Sequence, residues 1–333
     1  MISSIKILLC LFILTLPVLN LDASPASPAK SPSGSWEASA DFLAWYASEE
    51  VASIWADVVT IGNNTSSWGA PGFNFKWDCG FRIGLGRHFA NDSWDSAIYW
   101  TWFFTDARHS LFSSAEVTIG PEFYAAFLNG DARDETPRKM SAKWSLFFNM
   151  FDWELGSSHW VSKAVFLRPF IGIKGGWINQ LIQAKYYDLI VDEVATGNWG
   201  KEHLKNNFWG IGPLGGINSK WKVCDCGSYF FNLFGDFSMA GMWGTWICSD
   251  VYKNTLSETS SVNTKNSNLG TLMFKGFMGM GWDASKGKVH FSAKIGYEMQ
   301  LWLNQLRIAT FQLQRLHSDI TLQGLTFHCQ FDF

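Results

Sequence analysis

The chain lacks a long hydrophobic run. After its N-terminal segment no stretch of about 18 apolar residues occurs, which excludes a bundle of membrane-spanning helices. An excess of one charge is missing too. With 26 Lys and Arg against 29 Asp and Glu, a net charge of −3, there is no basic face for nucleic acid. Helical periodicity is absent: nowhere after the leader are apolar residues sustained at i, i+3, i+4 and i+7.

Aromatic residues are abundant. They make up 17% of the 333 residues, with 19 Trp and 28 Phe, yet mean hydropathy is −0.01. Strands that alternate apolar and polar side chains average to such a value while still presenting a fully apolar face.

The first residues read as an export signal. Lys6 supplies the positive start, Ile7 to Leu16 an apolar stretch too short to span a bilayer, Pro17 a break, and Leu21, Asp22 and Ala23 a cleavage site. Residues 1–23 are thus expected to be a cleaved signal peptide. Residues 24–34, within "SPASPAKSPSGS", form a flexible Pro/Ser/Ala spacer, and residues 35–333 the folded domain.

Within that domain, alternation is the dominant pattern. In "FKWDCGFRIGLGRHF", Phe75, Trp77, Cys79, Phe81, Ile83, Leu85 and Phe89 share one face, and Lys76, Asp78, Gly80, Arg82, Gly84, Gly86 and His88 the other. This run exceeds the usual soluble strand and suits one that crosses a bilayer at a tilt. The pattern recurs at Trp36–Phe42, Trp94–Thr105, Val165–Lys174 and Val289–Glu298, and the chain closes on it, with Leu325, Phe327, Cys329, Phe331 and Phe333 set against Thr326, His328, Gln330 and Asp332.

The connections alternate in length. "ANDS", "SSHWVSK", "CDCGS" and "ASKG" are short, whereas "GNNTSSWGAPG", "NGDARDETPRK" and "SDVYKNTLSETSSVNTKNSN" are long and polar. Short periplasmic turns against long external loops predict an all-β, antiparallel, up-and-down transmembrane β-barrel of about 10 strands with both termini periplasmic. The count becomes 12 if "EVTIGPEFYAAFLNG" forms its own hairpin rather than part of an external loop. In such a barrel the last strand, carrying Phe327, Phe331 and Phe333, pairs with the first, because an open edge in lipid leaves backbone groups unsatisfied. One segment conflicts with simple alternation. In "KWSLFFNMFDWELG", Leu146 and Phe148 share a face with Asp152 and Glu154, which calls for a bulge near Asn149 or for acids that face inward in another register.

"FKWDCGFRIGLGRHF", "DWELGSSHWVSKAVFLRPFIGIKGGWINQ", "NNFWGIGPLGGI", "GYEMQLWLNQ" and "SDITLQGLTFHCQFDF", in that order between Trp36 and Phe333, resemble the pore-forming outer-membrane protein family of Legionella and the environmental chlamydiae, termed major-outer-membrane-protein-like. The resemblance implies integral residence in the bacterial outer membrane, a porin role, and a terminal Phe read by the barrel-assembly machinery.

The polar faces supply the candidate site. Lys76, Arg82, Arg168, Lys174, Lys220, Lys275 and Lys294, with Glu37, Asp41, Asp78, Asp236 and Glu298, project inward as a mixed-charge lining. They either set the field on permeating ions, giving passive diffusion of ions or small polar solutes, or pair to fill a narrow lumen, giving a closed barrel with a structural or adhesive surface role. Trp77, Trp94, Trp177, Trp209, Trp221, Trp243 and Trp302 are the expected interfacial anchors against membrane lipid.

No enzyme is expected. "GIGPLG" matches a dinucleotide pattern, but Pro213 lacks the amide donor that the pattern requires, so no cofactor is expected. His88, His290 and His328 with Ser292 fall on polar faces without a recognisable catalytic constellation. The six cysteines lose Cys10 with the leader, leaving Cys79, Cys224, Cys226, Cys248 and Cys329. Cys224 and Cys226, in a periplasmic turn, are the candidates for a disulfide to a second copy or another envelope protein, the alternative being unpaired or locally bonded cysteines; two thiols are too few for a structural zinc site, so no metal is expected.

Overall fold

Ten long strands alternate with turns of opposite character: β1 Trp36–Glu49, β2 Trp77–His88, β3 Trp94–Phe112, β4 Thr136–Ser157, β5 Val165–Val191, β6 Trp199–Asp225, β7 Tyr229–Asn254, β8 Thr259–Lys286, β9 Val289–Ala309 and β10 Arg315–Asp332. The computed structural model describes residues 34–333 except 50–54, 62–65, 70, 90–92, 115–116, 122–135, 192–193, 196, 226–228, 256–258, 287–288 and 310–314. The leader and the spacer up to residue 33 lie outside the described residues.

Every long strand pairs antiparallel with its neighbours in sequence, and β10 returns to β1 in register from Glu37↔Asp332 to Glu49↔Ile320. Trp36 and Phe333 exchange backbone hydrogen bonds of 2.8 and 2.9 Å, so the pairing runs to the last residue. The result is a closed barrel. Two two-residue strands, His159–Trp160 and Val194–Ala195, extend this sheet without adding to its ring. A separate three-stranded sheet, Ser66–Gly69, Ala56–Ile61 and Val117–Pro121, lies among the long-loop segments. It takes up the start of "EVTIGPEFYAAFLNG", so that segment adds no pair of barrel strands and the ring stays at ten; residues 122–130 of it lie outside the described residues.

Burial follows the alternation. On β10, Leu325, Phe327, Cys329 and Phe331 are exposed on the lipid face, while Thr326 and Asp332 are fully buried. Trp77, Trp94, Trp177, Trp209 and Trp243 are likewise exposed. Trp302 corrects the sequence reading: it is 0% exposed, inside the barrel, where its indole donates to Gln300 Oε1 at 3.1 Å.

The expected loop "SDVYKNTLSETSSVNTKNSN" is also corrected. Lys253↔Thr259 and Tyr252↔Ser260 pair β7 with β8, and most of this polar segment is a hairpin rising beyond the bilayer. Polarity placed it out of lipid, not out of the sheet. β8, at 28 residues, is far longer than the roughly 9 to 11 that a tilted crossing needs.

The β4 conflict resolves without a bulge. β4 pairs continuously with β3 and β5, and Trp144, Leu146, Phe148 and Met150 face inward at no more than 1% exposure on the same face as Asp152 and Glu154. The inward face changes from apolar to acidic along one strand. The barrel interior therefore has two layers.

Glycines let the strands pack. "GIGPLG" lies inside β6, where a Cβ on Gly212 would run into the carbonyl oxygen of Gly241 on the neighbouring strand. Gly212→Val is expected to abolish the compact, heat-modifiable form of the refolded barrel on unboiled gels, whereas Gly276→Ala, with open space around its Cβ, leaves it intact.

Candidate functional site

The inward faces of the strands meet in a charged layer on the side of the chain termini. Arg82 on β2 is central to it. Its guanidinium donates to Asp41 Oδ2 on β1 and Glu298 Oε1 on β9, both at 2.7 Å, and to Thr101 Oγ1 on β3 at 3.0 Å. Glu298, 0% exposed, also accepts from Gln300 at 2.8 Å and from Thr326 at 3.1 Å. A second cluster forms on Arg168, which reaches Asp95 through Nε at 2.9 Å, Glu154 at 2.9 Å and Asn218 at 2.8 Å. Lys174 meets both oxygens of Asp152 at 2.6 and 2.7 Å, and Lys220 reaches Asp283 at 3.1 Å.

A cavity of about 690 Å³ opens among these groups toward the short-turn end. Seven carboxylates line it (Glu37, Asp41, Asp152, Glu154, Asp236, Asp283 and Asp332), against five Lys and Arg (Arg82, Arg168, Lys220, Lys275 and Lys294). With its histidines neutral the lining has a formal charge of 5 − 7 = −2. Near its mouth, ligand-type atoms of Glu37, His88 and Asp332 lie within 4.8 Å of one another. His88 Nε2 is 3.5 Å from Glu37, and His290 Nδ1 is 3.3 Å from Asp332, so each histidine faces a carboxylate from a neighbouring strand.

Toward the external side comes a mainly apolar layer, with Asn206 and Gln305 within it and Glu202, Asp250 and Arg307 also buried at this end. Leu43, Trp45, Phe103, Trp144, Leu146, Phe148, Ile178, Leu204, Phe208, Trp246, Trp302 and Leu306 are at most 1% exposed. Phe148 meets Trp302 edge-on at 5.5 Å, Trp45 packs on Phe103 at 5.5 Å, and Phe208 on Trp246 at 4.3 Å. Their indoles are satisfied within the layer or at its boundary: Trp45 donates to Thr326 at 3.1 Å and Trp144 to Gln180 at 3.0 Å. Above it Trp55 and Phe73, from the segment between β1 and β2, stack at 5.9 Å, and Phe75 carries the contact on to Trp144 at 5.3 Å. Among the described residues, side chains fill this half of the barrel.

The twelve candidate lining residues fall unequally. Arg82, Lys174, Glu37, Asp41 and Glu298 are buried inside, Arg168, Lys294 and Asp236 slightly less so, and Lys220 and Lys275 reach the cavity with side chains 22% exposed. Asp78 is inward but belongs to the external side, bonded to Thr105 at 2.6 Å. Lys76 is a correction. It precedes β2, its side chain is 53% exposed, and it bonds at 2.8 Å to Asp106, which stands on the outer face of β3. Alternation does not extend to a residue outside the strand.

Sequence reasoning missed Asp95, Asp283 and Asp332 as members of the charged layer and left Asp152 and Glu154 unplaced. Their signal was a shared phase with basic or histidine side chains on adjacent strands: Lys174 faces Asp152 in register, and His290 faces Asp332. Of the candidate disulfide pair, Cys224 stands at the short-turn end of β6 and Cys226 lies outside the described residues. Cys79 and Cys329 are exposed on the outer face, and Cys248 is buried inside.

Breaking one partner of a buried ion pair strands the others and costs about 3–5 kcal/mol. Arg82→Met is expected to lower stability by that order in urea unfolding of the bilayer-inserted barrel, because Asp41 and Glu298 lose their counter-charge. Arg82→Met/Asp41→Asn/Glu298→Gln recovers most of the loss.

No curated protein matches the chain. Among solved structures, it is similar to the outer membrane protease OmpT of Escherichia coli (9% identity, 93% of this chain and 99% of that chain covered, TM-score 0.36), to Ail, the attachment invasion locus protein of Yersinia pestis (9%, 90% and 99%, TM-score 0.22), and to a FadL homologue of Pseudomonas aeruginosa (7%, 90% and 90%, TM-score 0.29). The family model of the Legionella pneumophila major outer membrane protein precursor matches residues 29–333, and this closed ten-stranded barrel, an integral protein of the outer membrane, belongs to that family.

Proposed function

We propose that the protein is a narrow, porin-like pore that passes small ions and small polar solutes by diffusion, prefers cations, and is shut at rest by its apolar layer. The observation that carries this reading is the stacking of the two layers. A cavity lined by seven carboxylates and five Lys or Arg side chains concentrates cations, and it leads into an aromatic constriction of the kind that gates by dewetting. A barrel serving only as a scaffold has no need of so many buried charges, since desolvating them is costly. Family membership supports the same reading.

No catalytic step belongs to this function. His159, which shares a 2.8 Å hydrogen bond with Ser157 Oγ at the short-turn end, and His290, which faces Asp283 and Asp332 across 3.6 and 3.3 Å inside the lumen, are polar packing groups in this reading. A second reading, a closed barrel with a structural or adhesive surface role, is favoured by the depth of the apolar packing, with Leu43, Trp144, Leu146 and Trp302 all at 0% exposure.

Planar-bilayer recording separates the two. The refolded, leader-free protein is expected to give small, infrequent, cation-selective steps, and Phe148→Ala or Trp302→Ala, each checked for a folded barrel on unboiled gels, should raise open probability at least tenfold. If neither the parent nor the folded variants conduct, the closed-barrel reading replaces the pore.

A further inference from the structure

The outer face of β5, β6 and β7 carries a cluster of lysines that the lumen does not explain. Lys201 on β6 pairs in register with Lys185 on β5 and with Lys253 on β7, so three ammonium groups stand side by side across three strands. Two and four residues further toward the bilayer, His203 and Lys205 continue the same outward face. Trp199, Lys201, His203, Lys205, Ser249, Val251 and Lys253 line an open groove of about 380 Å³, and among the described residues this lining contains no carboxylate.

Like charges directly opposite on neighbouring strands are destabilising. Elsewhere on the outer face at this end, Lys76 and Lys143 bond to Asp106 at 2.8 and 3.1 Å, and Lys139 packs on the Phe112 and Tyr187 rings. Lys201 lies over the Trp199 ring at 4.4 Å, which orients the ammonium but leaves the cluster positive. Among the described residues no carboxylate on this face compensates it, which leaves an external anion as the counter-charge.

Height along the strand indicates its source. Trp209 and Trp177, exposed and paired in register, mark the membrane interface on β6 and β5. Lys205 is four residues beyond Trp209, about 13 Å along the strand and less along the tilted membrane normal. That is the level of lipid headgroups, on the long-loop side. Zwitterionic headgroups offer no net anion, whereas a phosphorylated glycolipid presents dianionic groups on a rigid sugar, matched to lysines that act as point charges.

We propose that the groove between β6 and β7, with Lys185 beside it, binds the phosphate groups of an outer-leaflet glycolipid of the lipid A type. The site is independent of whether the lumen conducts. Lysines 201 and 253 would hold one phosphate between them, Lys205 would reach a group nearer the acyl chains, and Trp199 would pack on the sugar.

The test is a change of sign. Full-length mature protein is refolded in phosphatidylcholine vesicles with and without lipid A, and the temperature at which the compact gel band is lost is measured. Lipid A should raise it for the parent. Lys201→Gln should remove most of that rise while leaving the temperature in phosphatidylcholine alone unchanged or higher, because a repulsion has been relieved. Lys253→Gln should behave alike, and Lys163→Gln, exposed at the short-turn end, should keep the full rise. Lipid phosphate retained on the extracted protein should fall at least threefold in Lys201→Gln/Lys253→Gln. The proposal is overturned if both single variants keep the rise, if Lys163→Gln loses it equally, or if dephosphorylated lipid A works as well. It is also overturned if soluble pyrophosphate reproduces the effect in phosphatidylcholine vesicles, which would assign the groove to a soluble anion.

Discussion

An unpaired backbone amide or carbonyl in hydrocarbon costs several kcal/mol, and everything in this structure depends on avoiding that cost. The pairing of β1 with β10 meets the constraint over its whole length, from Glu37↔Asp332 to Glu49↔Ile320, and the Trp36 to Phe333 backbone bonds continue it to the final residue. Once the ring closes at ten strands, its circumference is set, and with it the space inside. That space is small enough for side chains to fill, and what fills it decides the function.

The two interior layers are two solutions to this packing problem. Near the termini, charges are desolvated in groups, and the two arginines each draw acids from different strands: Arg82 ties β2 to β1 and β9, and Arg168 ties β5 to β3 and β4. Toward the external side the same inward positions carry mainly Trp, Phe and Leu, which need shape complementarity and a partner for each indole, with a few buried polar groups such as Asn206, bonded to the Gln305 carbonyl, among them. A barrel with one layer alone would be a wet pore or a dry plug. Having both in series places a charged reservoir beside a dry constriction, which is the physical basis for a gated path.

Much of the fold was legible because alternation reports side-chain direction without knowledge of neighbours. Phe327, Phe331, Arg82 and Glu298 could be assigned to a face from phase alone. Legibility failed where a residue's role depends on something other than phase. Trp302 and Trp77 are chemically the same, yet one is at 0% exposure in the lumen and the other at 55% on the lipid face. β4 seemed inconsistent because an apolar residue was taken to mean lipid, when in a narrow barrel apolar also means plug. Lys76 lost its expected place because it lies outside the strand whose phase it shares.

By itself the amino-acid sequence determined the class of structure: period-two alternation, aromatic excess, alternating connection lengths and an apolar terminal strand require a closed antiparallel barrel in a membrane, since nothing else satisfies both backbone and side chains there. Only the tertiary structure decided which residues meet. The grouping of Arg82 with Asp41 and Glu298, the contact of Phe148 with Trp302, and the row of Lys185, Lys201 and Lys253 join residues far apart in the chain. Register and curvature bring them together, and these follow from summed strand pairing around the ring rather than from any local stretch of sequence.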